Sequence, residues 1–390
     1  MKIVIAPDSF KESLTAKQVC RAIETGFKRV FPDASYDLIP VADGGEGTVQ
    51  SLVDATNGQL IHLKVTGPIA QPVDAFYGWL GDDSNTAIIE MAAASGLHHV
   101  PASLRDPKKT SSYGTGELIK AALDQGAKKI IIGLGGSATN DGGIGMLSAL
   151  GIQFIDKHGQ LIETNGAGLH HINTININGL DKRLTSCEIL VACDVDNPLC
   201  GEHGASRVFG PQKGATDEDI QYLDIGLKHY GQCIKQQLNI DVLNQAGSGA
   251  AGGMGAGLIA FTNATLKPGI DLVLDAVQLS QYMPNTNLVI TGEGRIDNQT
   301  IYGKTPMGVA KIAKKFDIPV IGVAGSLGKH HQAVYSCGID AVFACIPGVM
   351  PLEQAFAEAQ TNLENLSENI AKCWSINPCN STLIKYYSQS

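Results

Sequence analysis

The chain has 390 residues, 44% of them hydrophobic, and a formal net charge of −9. Its length exceeds the roughly 250–300 residues at which a single core stops growing, so two domains are expected. The acidic balance excludes a nucleic-acid or anionic-membrane partner, since basic residues occur only in pairs such as Lys108-Lys109, Lys128-Lys129 and Lys314-Lys315, and no apolar run reaches the ~18 residues of a membrane helix.

The N-terminal run Met1–Asp8 is too short and too interrupted for a signal peptide. Nine cysteines without a C-x-x-C pair read as reduced thiols rather than a disulfide framework or zinc site, which places the protein in the cytoplasm. Lys2–Ala6 reads as a buried strand, and Thr15-Ala16-Lys17-Gln18 as a capping box opening a helix whose apolar face holds Val19, Cys20, Ile23 and Phe27 and which ends before Pro32. Further β-branched runs at Leu38–Ala42, Ile130–Gly133, Glu188–Cys193, Leu288–Thr291, Val320–Ala324 and Ala341–Ile346 alternate with helical patterns, the signature of α/β architecture with parallel strands. The texture between Lys64 and Asp83, with turns at Gly67-Pro68 and Gly81-Asp82-Asp83, predicts antiparallel strands and entry into a second domain. The Gly/Ala-rich segment Gln245–Gly257 reads as backbone packed closely on a ligand or helix, and the run from Leu352 as one long surface helix that frays after about Lys372.

Three acidic, glycine-rich loops each follow an apolar run: Ala42–Thr48, Gly135–Gly143 and Thr291–Asp297. Glycines let backbone N–H groups approach phosphate oxygens, and interleaved carboxylates can hold the Mg²⁺ that accompanies a nucleotide. Gly44, Gly45, Gly47, Gly135, Gly136, Ser137, Asn140, Gly292 and Gly294 are therefore candidate phosphate or substrate contacts, and Asp43, Glu46, Asp141, Glu293 and Asp297 candidate metal ligands. Ligands of parallel α/β sheets collect beyond the carboxyl ends of the strands, where Asp8 with Ser9, Asp43, Asp194 and Glu293 stand. Lys11, Arg295 and Lys304 supply positive charge near these loops, as phosphoryl transfer requires. Any one of these carboxylates alone is equally well read as a turn former or helix cap.

Established kinase signatures fail: Gly303-Lys304-Thr305 ends like a Walker A loop, but Asn298 occupies the position of its first glycine. The strongest rival is an NAD-linked oxidoreductase, because Gly133–Ala138 fits G-x-G-x-x-A after a strand and Asp156 ends the next one, Ile152–Ile155. The paired histidines His98-His99, His170-His171 and His330-His331 read as surface residues. A non-catalytic nucleotide sensor would leave the strand-end carboxylates without a purpose.

Seven runs together resemble the type-1 (bacterial) glycerate kinases: Ala6–Leu14, Val41–Thr48, Glu90–Leu97, Gly135–Gly143, Val191–Val195, Phe209–Ala215 and Ile290–Asp297. They span roughly residues 1–350 in that family's order. The resemblance implies ATP- and Mg²⁺-dependent phosphorylation of D-glycerate to 2-phosphoglycerate, with 3-phosphoglycerate as the other product open to it. It implies a Rossmann-like parallel-sheet domain (1–66 plus 287–390), a second α/β domain with mixed sheet (67–286), and an active site in the cleft between them; it leaves the oligomeric state open. Under it Asp194 accepts or orients the glycerate hydroxyl proton, Asp43, Glu46 and Asp141 serve Mg²⁺, Lys11 and Arg295 meet phosphate or substrate carboxylate, and Arg207 and Lys213 are further carboxylate anchors.

Overall fold

The computed structural model describes residues 1–45 and 47–376; the expected metal ligand Glu46 and the tail from Asn377 lie outside the described residues. Contacts group the chain into two compact units, Met1–Asp43 with the segment from Val273 onward, and Gly44–Leu272. In chain order the described strands are β1 (Lys2–Ile5) and β2 (Ser35–Leu38) in the first unit. The second unit holds β3 (Gln59–Thr66), β4 (Pro72–Trp79), β5 (Thr86–Glu90), β6 (Lys129–Gly133), β7 (Gln153–Ile155), β8 (Thr174–Asn176), β9 (Glu188–Ala192) and β10 (Thr265–Lys267). Back in the first unit come β11 (Leu288–Ile296), β12 (Val320–Leu327) and β13 (Ala341–Ala344).

The first unit is built on an all-parallel sheet of order β13-β12-β11-β1-β2, a doubly wound arrangement whose chain order reverses between β1 and β11. Its central strands are apolar throughout because both faces are covered; Ile3, Val4 and Ile5 of β1 and Leu288, Val289 and Ile290 of β11 are all fully buried. The predicted capping box is present at Thr15 and Gln18, and the helix Ala16–Lys28 buries Val19, Cys20, Ile23 and Phe27 as its spacing requires. The C-terminal run is two helices, Leu352–Ala357 and Ala359–Ser375, rather than one; the second buries Leu363, Ile370 and Ala371 in the same core, and its Glu364 and Glu368 pair with Arg29.

Two sequence expectations change here. The strand read at Leu38–Ala42 is instead Ser35–Leu38, beyond which Ile39 and Val41 still donate to the Ile5 and Pro7 carbonyls at 2.9 and 3.1 Å. The loop expected at Thr291–Asp297 is strand as far as Ile296, since β11 keeps its register with β12 through Glu293↔Ala324 and Arg295↔Ser326. Gly292 fits within that strand because a Cβ there would lie 2.1 Å from the Val323 carbonyl oxygen, so it serves strand packing.

The second unit carries a mixed sheet of order β10-β9-β6-β5-β4-β3, parallel from β10 to β5 and antiparallel at β4 and β3. The antiparallel pair predicted between Lys64 and Asp83 is this β3–β4 hairpin. A separate two-stranded antiparallel sheet pairs β7 with β8. The core gathers Ile89, Ile130, Ile132, Leu147, Phe154, Val191, Leu227 and Tyr230. The Gly/Ala-rich segment enters the helix Ala250–Thr262 through a left-handed kink at Ala251, Gly252 and Gly253. Gly252, with φ of +69°, has room for no side chain: a Cβ would stand 2.0 Å from the Thr139 carbonyl oxygen, which is how this segment presses against the Gly135–Gly143 loop.

Candidate active site

Two cavities open in the second unit, and both are lined by the loops that follow its strands. The smaller, about 200 Å³, is bounded by Gly44, Gly45, Leu134–Ser137 after β6, Ala192–Val195 at the end of β9, Phe209, Gln212, and Ala250 and Ala251 at the helix kink. Asp194 stands on its wall directly beyond β9, and one carboxylate oxygen accepts from the Gly269 amide at 2.9 Å. Gly269 also packs closely on Gly44, since a Cβ on Gly44 (φ +95°) would lie 2.6 Å from the Gly269 Cα. Only glycine fits there, and the approach brings Gly44 into the cavity that Asp194 faces.

The larger cavity, about 660 Å³, is lined by Gly47, Gln50, Asp74 and Phe76 of β4, Glu90 at the end of β5, Ala92, Ala93, His98, His99 and Gly133. It shares Gly44, Gly45, Gly135 and Gly136 with the smaller one. Glu90 accepts from the Val49 amide at 2.9 Å and so ties β5 to the first turn of the helix Thr48–Thr56 that Gly47 opens. His98 and His99, read from sequence as surface pairs, line this cavity with rings 4.0 Å apart. A drug-sized ligand occupies roughly 300–1,000 Å³. The larger cavity has that capacity, and the smaller suits a molecule of a few atoms.

Behind the shared glycines lies a buried polar layer. Lys213, 1% exposed, donates from Nζ to Ser137 Oγ at 2.8 Å and to the Thr139 carbonyl at 2.7 Å. Burial pulls its ammonium down to about 7, against the opposing pull of the Asp141 charge. Asp141 is fully buried and accepts from Ser112 N and Oγ at 2.8 and 2.7 Å, Gly143 N at 3.1 Å and Gly145 N at 3.3 Å; burial raises its pKa. Three of these bonds go to Oδ2 and one to Oδ1, so the carboxylate ties Ser112 to the start of the helix Ile144–Ala149 and anchors the loop. Asn140 is equally buried and donates to Ser206 Oγ at 3.0 Å, away from both cavities, and Arg207 is exposed and lines neither.

The first unit collects acids where its strand order reverses. Asp8, beyond β1, accepts from Ser9 N at 2.6 Å and Thr305 Oγ1 at 2.8 Å, yet burial and the neighbouring Asp43 raise its pKa to about 6. Glu293, 9% exposed on β11, accepts from Thr300 Oγ1 at 2.6 Å and Lys304 Nζ at 3.2 Å; burial raises its pKa too, with Asp43 contributing. Hard carboxylate oxygens held against mutual repulsion suit a divalent cation, and Mg²⁺ bound through substrate phosphates needs only one or two of them. Among the described residues no group of three or more His, Cys, Asp or Glu closes on a metal position. Asp297 caps its own turn through Gln299 N at 2.8 Å and pairs with Arg295, whose side chain is 64% exposed. Lys11 is exposed, its backbone amide facing Gly294 across the β1–β11 end.

Asp8 gives a pH signature with a definite sign. Its folded pKa lies above the ordinary 3.8, so the native state binds more protons between pH 3.8 and 6 and stability falls as pH rises through that window. Asp8→Asn is expected to melt higher than the parent at pH 7.5 in Mg²⁺-free buffer, with the difference vanishing toward pH 4. Melting temperatures at four pH values check it; a variant less stable at pH 7.5 would show that hydrogen bonding outweighs the repulsion.

The dinucleotide reading loses its structural support. After β6 the chain makes a long loop to Gly143 before the helix Ile144–Ala149, so Gly133–Ala138 does not open a helix as the fingerprint demands. The strand that follows pairs antiparallel with β8 instead of joining β6, and Asp156 receives His158 N and Gln160 N in a turn. Sequence reasoning did not single out Gln50, Phe76, Phe209, Gln212, Ala250 and Ala251 as site residues; the last four lie inside the runs Phe209–Ala215 and Gln245–Gly257 already noted, whereas Phe76 arrives through the β3–β4 hairpin and carries no local signal.

Comparison with known proteins points to one family. Residues 3–375 match the sequence profile of the glycerate kinase family. The chain is 55% identical to a glycerate kinase of Bacillus subtilis (strain 168), over 95% of this chain and 97% of the relative. It is 56% identical to a glycerate 2-kinase of Escherichia coli (strain K12), again over 95% and 97%. A crystal structure from Salmonella typhimurium LT2, of a protein provisionally described as glycerate kinase 2, superposes with a TM-score of 0.90 at 55% identity, covering 96% of this chain and 98% of that one.

Proposed function

The chain belongs to the glycerate kinase family and is a phosphotransferase of the kinase class, and on that premise we propose that it moves the terminal phosphoryl group of ATP to the 2-hydroxyl of D-glycerate with the help of Mg²⁺. The observation that carries this reading is the pair of cavities that meet at Gly44, Gly45, Gly135 and Gly136. One has room for a nucleotide and the other for a three-carbon acid, so a phosphoryl group passing between the two ligands crosses the shared glycines. Backbone amides are well matched to that position, because phosphoryl transfer depends on positioning and on fixed dipoles aimed at the equatorial oxygens.

Asp194 borders the smaller cavity directly beyond β9, with its carboxylate positioned by the Gly269 amide, and in this reading it accepts the hydroxyl proton. Asp8 and Asp43 are the carboxylates whose chemistry suits Mg²⁺. When bound, Mg²⁺ screens the phosphate charge and orients the phosphates for in-line attack. Transfer to the 2-hydroxyl is supported by the relative named glycerate 2-kinase, and the type-1 branch by the seven motifs quoted above.

Phosphorus NMR of the product formed from D-glycerate, ATP and Mg²⁺ tests the proposal. A resonance coupled to the C2 proton is expected. Coupling to the C3 protons would overturn the regiochemistry while keeping the enzyme a glycerate kinase, and inorganic phosphate as the sole product would overturn the acceptor.

A further inference from the structure

The smaller cavity holds an electrostatic problem. A glycerate carboxylate bound there stands beside Asp194, yet the lining contains no Lys, Arg or His. Ser137 is the lining residue with a route to a cation, since its Oγ accepts a hydrogen bond from the buried Lys213 Nζ at 2.8 Å. In its protonated form, which a substrate carboxylate nearby favours, the Lys213 amine is a donor only, so in this bond the hydroxyl oxygen is the acceptor and its own proton is left to point elsewhere. Among the described residues no protein acceptor receives that proton, and Ser137, though 8% exposed, borders the cavity.

We propose that Lys213 supplies the counter-charge for the substrate carboxylate without touching it, by fixing Ser137 as a polarised donor whose O–H points into the smaller cavity. Lys213 is thus a positioning residue, and Ser137 the residue that meets the substrate. The arrangement accounts for a lysine that is 1% exposed and pairs with no carboxylate directly: its second bond, to the Thr139 carbonyl at 2.7 Å, fixes Nζ on the Ser137 side of the loop. A charged donor in the chain strengthens the next hydrogen bond in a low-dielectric interior. The inference rests on the proposed placement of glycerate in the smaller cavity.

The test compares two acceptors, D-glycerate and D-glyceramide, in which a neutral amide replaces the carboxylate. Lys213→Met keeps the buried volume and removes the charge; Ser137→Ala removes the relay and leaves the lysine. Each is expected to lower kcat/KM for D-glycerate about ten- to a hundred-fold, through KM for glycerate and not KM for ATP, with a markedly smaller loss for D-glyceramide, whose amide oxygen still accepts from Ser137 but carries no charge. The double variant is expected to be no worse than Ser137→Ala, since the two residues act in series and Ser137 is the last link. Equal losses for both acceptors would reduce Lys213 to a structural role and overturn the relay, as would additive losses in the double variant. A parent enzyme that forms no ADP with D-glycerate would instead overturn the underlying reading.

Discussion

Asp194→Asn lowers kcat for glycerate phosphorylation by about 10²–10⁴-fold, the range over which a positioned general base contributes, while leaving the melting temperature and the affinity for ATP close to those of the parent. The reasoning is geometric. Asparagine keeps a side-chain oxygen for the Gly269 amide, so the contact at 2.9 Å that fixes this wall survives. The second oxygen becomes an NH₂ group, which cannot accept the hydroxyl proton. Asp194 is exposed at the end of β9, so no buried network is lost with its charge. Steady-state kinetics and a melting curve on the same preparation check it. Retention of more than a tenth of the parent kcat would remove Asp194 from the chemistry and leave it a role in binding.

Gly135→Val has the second large effect, and it separates activity from folding. Gly135 borders both cavities, and a Cβ built there meets nothing within 4 Å, so the backbone has no need of glycine for packing. Its neighbour Gly136 differs, with φ of +73° and a Cβ position 3.3 Å from Ala92. A branched side chain at 135 therefore projects into the junction between the ligands without disturbing the core. Folding should be unchanged within about 0.5 kcal/mol, as for substitutions away from packed features. Turnover should fall at least a hundredfold, since a displacement near 1 Å between reacting groups is enough for such a loss. Binding of ATP and of glycerate measured separately should persist better than turnover. A Gly135→Val enzyme of nearly full activity would mean that phosphoryl transfer does not cross these glycines.

What the sequence made legible was whatever rests on local pattern. Apolar runs at Ile130–Gly133 and Ile189–Ala192 are buried on both faces, and strand-end logic puts Asp194 and the start of the 135–143 loop beside a cavity. Glycine misled the reading at β11: Gly292-Glu293-Gly294 looks like a loop, but seven register pairs with β12 hold it as strand. For the same reason Arg295 and Glu293 read as loop residues in the sequence although both stand on this strand. Lys213 shows the opposite difficulty. A lysine is ordinarily at the surface, and only the tertiary packing of the short turn Pro211–Lys213 against Ser137 and Thr139 buries it. Asp141 likewise reads as a metal ligand in sequence because Ser112, which claims its carboxylate, lies far away along the chain.

The central claim is that phosphoryl transfer from ATP requires an acceptor held next to Asp194. Release of ADP by the parent enzyme, measured at saturating ATP and Mg²⁺ with and without D-glycerate, tests this most directly. The expected result is ADP formation that depends on glycerate and matches it mole for mole until the acid is consumed. ADP released at the same rate without glycerate would contradict the claim, because the terminal phosphoryl group would then be passing to water.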